Sequence, residues 1–150
     1  MKEPLIPVLV TLSGTSDASG DEDTIRVMTT GELRATPSGF MLRYKESQTD
    51  EGTGAVMTQD IILNMQPGRV SMTRLGDYGT TMVFVKDTRF EGKYRTPFGD
   101  LDMALFATQV HTDLSPEKGS IHLKYQLDLQ GNFAGVNTLH LEYAAGGKPC

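Results

Sequence analysis

From Ile121 to Gln130 the chain alternates without a break: Ile121, Leu123, Tyr125, Leu127 and Leu129 are apolar or aromatic, and His122, Lys124, Gln126, Asp128 and Gln130 are polar. Successive side chains of a strand point to opposite faces, so a period of two lets one face bury while the other meets water. The same period recurs in about ten segments of the chain, and the 16 glycines and 7 prolines fall mostly between them. Reversals after each short run favour hairpins over helices.

The segments can be placed in order. Leu5 to about Ser16 is apolar on both phases near its start and reads as the first strand. Asp17-Ala18-Ser19-Gly20-Asp21-Glu22-Asp23 reads as a solvated hairpin loop, because the Asp-x-Asp-x-Asp-Gly spacing of a calcium loop is missing. Thr24 to Thr36 is a long strand in which Gly31 marks a bulge or a close backbone approach. Pro37-Ser38-Gly39 turns the chain, with positive φ expected at Gly39, into Phe40, Leu42 and Tyr44 on one face and Met41, Arg43 and Lys45 on the other. Ser47 to Gly54 is the expected mobile loop. Ala55 to Met65, Val70 to Leu75 and Thr80 to Lys86 follow as hairpin strands, with Pro67-Gly68 fitting a type II turn.

Proline cannot donate to a ladder, so the strand that places Phe90, Gly92 and Tyr94 on one face must stop or bend at Thr96-Pro97-Phe98-Gly99. Beyond it, Leu101, Met103 and Leu105 change phase through Phe106 and Val110, as a bulge would cause. After the Ser115–Gly119 turn comes the strand described first, and Gly131 to Gly135 is expected to close the last hairpin into Leu139, Leu141 and Tyr143.

About ten strands without a helical stretch would leave two exposed edges in an open sheet, and closure removes them. The expected fold is therefore all-β: one antiparallel, mostly up-and-down barrel of eight to ten strands over residues 1–145, with 146–150 as a flexible tail. A two-sheet sandwich is the second choice. A chain of 150 residues fits one such domain without disulfide or metal staples, and the single Cys150 cannot supply either.

The formal charge of −5 argues against nucleic acid as a partner, since phosphate binding needs clustered Lys and Arg. No window approaches the roughly twenty apolar residues that cross a bilayer. The start, with Pro7 inside a short apolar run and no small-residue cleavage pattern, reads as a strand and not as a signal peptide. The expectation is a cytoplasmic protein without membrane attachment, for which a homodimer is possible.

Tyr94-x-Thr96-Pro97-Phe98-Gly99-x-Leu101, followed by Gly119-x-Ile121-x-Leu123-x-Tyr125-x-Leu127 and Asn137-x-Leu139, resembles the YwiB-like family of small bacterial β-barrel proteins. The resemblance runs from the first strand to about Tyr143. It implies a calycin-like, lipocalin-related barrel whose interior has room for a ligand. It supplies no activity and no catalytic residues.

A search for chemistry finds little. His122 and His140 fall on the outward phases of two pairing strands, where His122 meets only Glu142 as a further donor, so a solvent-facing pair is expected instead of zinc. His111, beside Thr112 and Asp113, fits a turn. There is no Gly-x-Ser-x-Gly elbow and no phosphate loop, and no enzyme, catalytic residue, metal or cofactor is expected.

What remains is the barrel interior. Tyr44, Tyr94 and Tyr125 lie on inward phases, and Arg74 shares a phase with Val70 and Met72, with Asp60 as a possible acidic partner. These four residues, Tyr44, Arg74, Tyr94 and Tyr125, are the expected lining of a site for a small, partly apolar ligand. The alternative is a filled core, in a structural or protein-interaction barrel. For the bend itself, Gly99 accepts a turn conformation that other residues resist, so Gly99→Ala is expected to lower stability in urea denaturation where Gly99 has positive φ.

Overall fold

Ten strands follow one another: β1 (Ile6–Ala18), β2 (Asp21–Thr36), β3 (Gly39–Thr49), β4 (Val56–Gln66), β5 (Arg69–Arg74), β6 (Thr80–Val85), β7 (Arg89–Thr96), β8 (Gly99–Asp113), β9 (Lys118–Leu129) and β10 (Asn132–Ala145). The computed structural model describes residues 5–18, 21–49, 52–76, 79–96 and 99–146. Among them no helix is long and apolar enough to cross a membrane.

Every ladder between named strands is antiparallel, and the order is β6-β5-β4-β3-β2-β1-β10-β9-β8-β7. Two meanders, β1 to β6 and β7 to β10, are thus joined where β1 pairs β10 from Val8↔Ala145 to Asp17↔Val136. Curling brings the two ends together into a nearly closed barrel. The seam is made by single bonds and not by a ladder: Thr80 Oγ1 donates to Lys93 O at 2.7 Å, Asp87 N–H donates to Ala107 O at 2.7 Å, and Lys86 bridges Ala107. The register of β8 against β9 shifts between Ala107 and Gln109, and this bulge bends β8 where the β6–β7 connection docks.

The period of two delivers the core. Val8, Val10, Leu33, Leu42, Ile61 and Leu63 are fully buried, with Val70, Phe84, Leu105, Ile121, Leu123 and Leu141 contributed from the other strands. These side chains pack together inside the barrel. At one end Tyr143 covers the barrel, its hydroxyl donating to Ser115 O at 2.8 Å and accepting from Ser115 N–H at 3.2 Å.

Several local expectations change. The acidic stretch is largely strand, since β1 runs to Ala18 and β2 starts at Asp21; residues 19–20 lie outside the described residues. Ser47 to Thr49 also extends β3, which leaves a shorter connection than expected before β4. Gly39 is a tight contact and not a positive-φ corner: a Cβ there would strike the Met65 carbonyl. The last hairpin turns earlier, at Gln130 and Gly131 with φ of 53° and 79°, and the register break between Phe133 and Gly135 is a bulge inside β10. The β8 bulge, the strand stop before Pro97 and the outward placement of His122 and His140 agree with the sequence.

Gly99 has φ 121°, so the condition for the bend is met, and Gly99→Ala should cost about 1 kcal/mol or more. Gly119 tests a different constraint. A Cβ at Gly119 would overlap the Tyr143 ring. Gly119→Ala should therefore cost about 1–3 kcal/mol through overpacking, read as a lower urea midpoint at unchanged m-value. Full recovery of that midpoint in a Gly119→Ala, Tyr143→Leu double variant would assign the loss to the ring.

Candidate functional site at the forked end of the barrel

At the end opposite Tyr143 the wall divides. β2 pairs β3 only from Gly31↔Tyr44 to Thr36↔Gly39, and β4 pairs β5 only from Ile61↔Arg74 to Gln66↔Arg69. Beyond Tyr44 and Ile61, the β3–β4 hairpin pairs within itself apart from one bond from Leu75 N–H to Asp60 O at 2.9 Å, and β2 continues only beside β1. Gly31 sits at the fork as a close approach and not a bulge. A Cβ there would lie 2.7 Å from Arg43 O and 3.2 Å from Tyr44 Cβ, so a side chain larger than glycine has no room at this point.

Polar residues continue the inward phases past the apolar core at this end. Tyr44 follows Leu42 and is only 4% exposed, and Glu46 comes next on the same face of β3. Arg74 ends β5, with Nη2 3.4 Å from both Glu46 oxygens. Its Nε is buried and has no hydrogen-bond partner. Across the lumen, the Tyr125 ring lies 4.9 Å from Phe84, and its hydroxyl bonds the Asn137 side chain. Burial pushes the Tyr44 hydroxyl well above its ordinary pKa, and the Glu46 charge adds to this while Arg74 opposes it. Burial also raises Tyr125, against the Asn137 bond and the Arg74 charge.

Of the four residues expected from sequence, Tyr44, Arg74 and Tyr125 share this end. Tyr94 does not join the core: it is 36% exposed on β7. Asp60 is not the partner of Arg74. It bonds Arg43 at 2.6 Å on the outer wall, because β4 buries Ile61, Leu63 and Met65, which puts Asp60 and Ile62 on the opposite phase. Glu46 and Asn137 were missed. Both were legible as polar residues in phase with Leu42 and Tyr44, or with Leu139 and Leu141.

Two grooves, of about 390 and 530 Å³, are lined by other residues, and neither includes Tyr44, Arg74 or Tyr125. On the outer wall the register places His111 opposite His122 and His122 opposite His140, so His111 belongs to the same row and has no turn role. Partial burial, followed by His140, His111 and Lys124, holds the His122 pKa below its ordinary value.

The buried tyrosines give a pH dependence with a definite sign. Tyr44, Tyr125 and Tyr143 all have pKa values raised in the folded state, chiefly by burial. Their contribution to stability is complete below about pH 10, the unfolded value, and is lost as pH rises beyond it, because the unfolded chain sheds those protons first. In an alkaline titration, tyrosinate absorbance from these three should appear only together with loss of the far-ultraviolet strand signal. Complete ionisation near pH 10 with that signal intact would contradict the burial.

Comparison with known proteins bears on this geometry. The chain is 24% identical over 140 residues to the uncharacterised β-barrel protein YwiB of Bacillus subtilis (strain 168), covering 93% of this chain and 94% of that one. The crystal structure of the B. subtilis ywiB protein superposes with a TM-score of 0.80 at 22% identity, over 95% of this chain and 93% of that one. The family model for a domain of unknown function, DUF1934, matches residues 10–141. The chain belongs to the DUF1934 family, and its fold is the β-barrel of YwiB.

Proposed function

We propose that this protein is a cytoplasmic binding barrel that takes one small, partly apolar molecule at its forked end, and that it is not an enzyme. The observation that carries the reading is Arg74: a charged side chain aimed along an inward phase, held loosely by Glu46, with a buried Nε that lacks an acceptor. An unsatisfied buried donor costs about 1–3 kcal/mol, and an acceptor on a ligand would remove that cost. Tyr44 and Phe84 are packed into the core there, and the half-buried Tyr125 leaves ring surface for an apolar body. The packed core leaves the rim beside Arg74 as the place for the ligand, which distinguishes this reading from a deep lipocalin-like pocket. The likeness to calycin barrels is an analogy of architecture.

Outside, Arg43 pairs with Asp60 and Lys93 with Asp102, an exterior suited to water. A second reading, an interaction barrel that meets a partner or a second copy of itself, is favoured by the exposure of Met28 and Val56 at 64% each on the two hairpins that flank the fork.

The test is thermal unfolding with benzoate and benzamide, which place an acceptor beside a ring, together with native mass spectrometry of protein purified from its host. A ligand at a hundredfold excess over its Kd should raise Tm by roughly 5–10 °C, and Arg74→Met should abolish the rise while keeping the fold. No shift with either compound and no co-purified small molecule would overturn the binding reading. A dimer dissociated by Met28→Lys or Val56→Lys would favour the second.

A further inference from the structure

All three histidines of the chain stand in one row on the outer wall. β8, β9 and β10 supply His111, His122 and His140 at directly opposed positions, and Ser13 of β1 and Arg26 of β2 continue the row. The His122 and His140 rings have centroids 5.8 Å apart, and the His111 and His122 rings 6.2 Å. Two imidazoles that share one dication, with metal–nitrogen bonds of about 2.0–2.1 Å, hold their centroids roughly 5–6.5 Å apart. Both pairs fall in this range, and His122 belongs to both.

A carboxylate distinguishes the two pairs. Glu142 lies two residues from His140 on the same face, and its Oε1 is 3.1 Å from His140 Nε2. This contact is a hydrogen bond that keeps the two donor atoms together, and metal binding would replace it. His111 is followed by Asp113 on its own face, but no contact joins them among the described residues. As the side chains stand, no group of three or more His, Cys, Asp or Glu among the described residues could hold a metal ion, so the site forms only when side chains turn. His140 and Glu142 are well exposed, so rotation of side chains at the surface can close the site without moving the core.

We propose that His122, His140 and Glu142 form a surface site for a single borderline transition-metal dication such as Zn²⁺ or Ni²⁺, with water completing the coordination. Imidazole nitrogen suits these ions and hard cations do not compete for it. The chemistry is separate from the lumen, so the two readings stand or fall independently.

The test is calorimetric titration of the full chain carrying Cys150→Ser, which removes the thiol as a competing ligand, with ZnCl₂ and with NiCl₂ at pH 7.5. One ion per chain should bind with micromolar affinity, and MgCl₂ should give no heat. His122→Ala and His140→Ala should each weaken binding about tenfold or more, and Glu142→Gln several-fold. His111→Ala should leave affinity within about threefold. Each variant is outward-facing, and an unchanged far-ultraviolet spectrum and urea midpoint check the fold. Binding should also weaken as pH falls, because the ligating nitrogens must be deprotonated. Absence of saturable binding up to millimolar Zn²⁺ would overturn the site, as would equal affinity in His122→Ala. A larger loss from His111→Ala than from His140→Ala would overturn the ligand assignment.

Discussion

The barrel depends on the pairing of its first strand with its last. Without the β1–β10 ladder the chain would be two separate meanders, each with two unpaired edges and an apolar face too small to bury itself. That ladder runs from Val8↔Ala145 to Asp17↔Val136 and sets Val10 beside Tyr143 and Leu12 beside Leu141. It is the pairing most distant in sequence, so its loop-closure entropy is met only when the inner faces pack together. The opposite seam is slighter. It needs the β8 bulge and a few single bonds, and the strands there are short.

The unequal lengths of the strands decide what the two ends are like. Where all strands overlap, Leu, Ile, Val and Phe side chains fill the lumen, and Tyr143 over Gly119 covers the end. Where β2 parts from β3 and β5 has ended, the same inward phases carry Tyr44, Glu46, Arg74 and Asn137. Arg74 and Glu46 keep partial exposure here, so their charges are tolerated where the core would exclude them. A single sheet therefore combines an apolar core with polar inward residues at one end.

Much of this was legible in the chain. Strand phases, the barrel and the β8 bulge followed from alternation and from the placement of Pro97, Gly99 and Phe106, while the resemblance to the YwiB-like family rested on the motifs at Tyr94–Leu101, Gly119–Leu127 and Asn137–Leu139. Two kinds of error recur. Apolar residues on an outer face, as at Val56 and Ile62, shifted the phase of β4 and made Asp60 look inward. Polar residues in what read as loops, as at Asp17, at Asp21 to Asp23 and at Ser47 to Thr49, continue strands because antiparallel ribbons keep their backbone bonds in water.

The period of two thus determined which residues share a face, since alternation is a property of one strand and needs no partner. Tertiary structure alone decided register and strand length, which depend on contacts between segments far apart in sequence. Register turned three scattered histidines into a row across β8, β9 and β10. Strand length opened the fork that brings Arg74 to Glu46 instead of Asp60, because it fixes where the inward phase leaves the packed core.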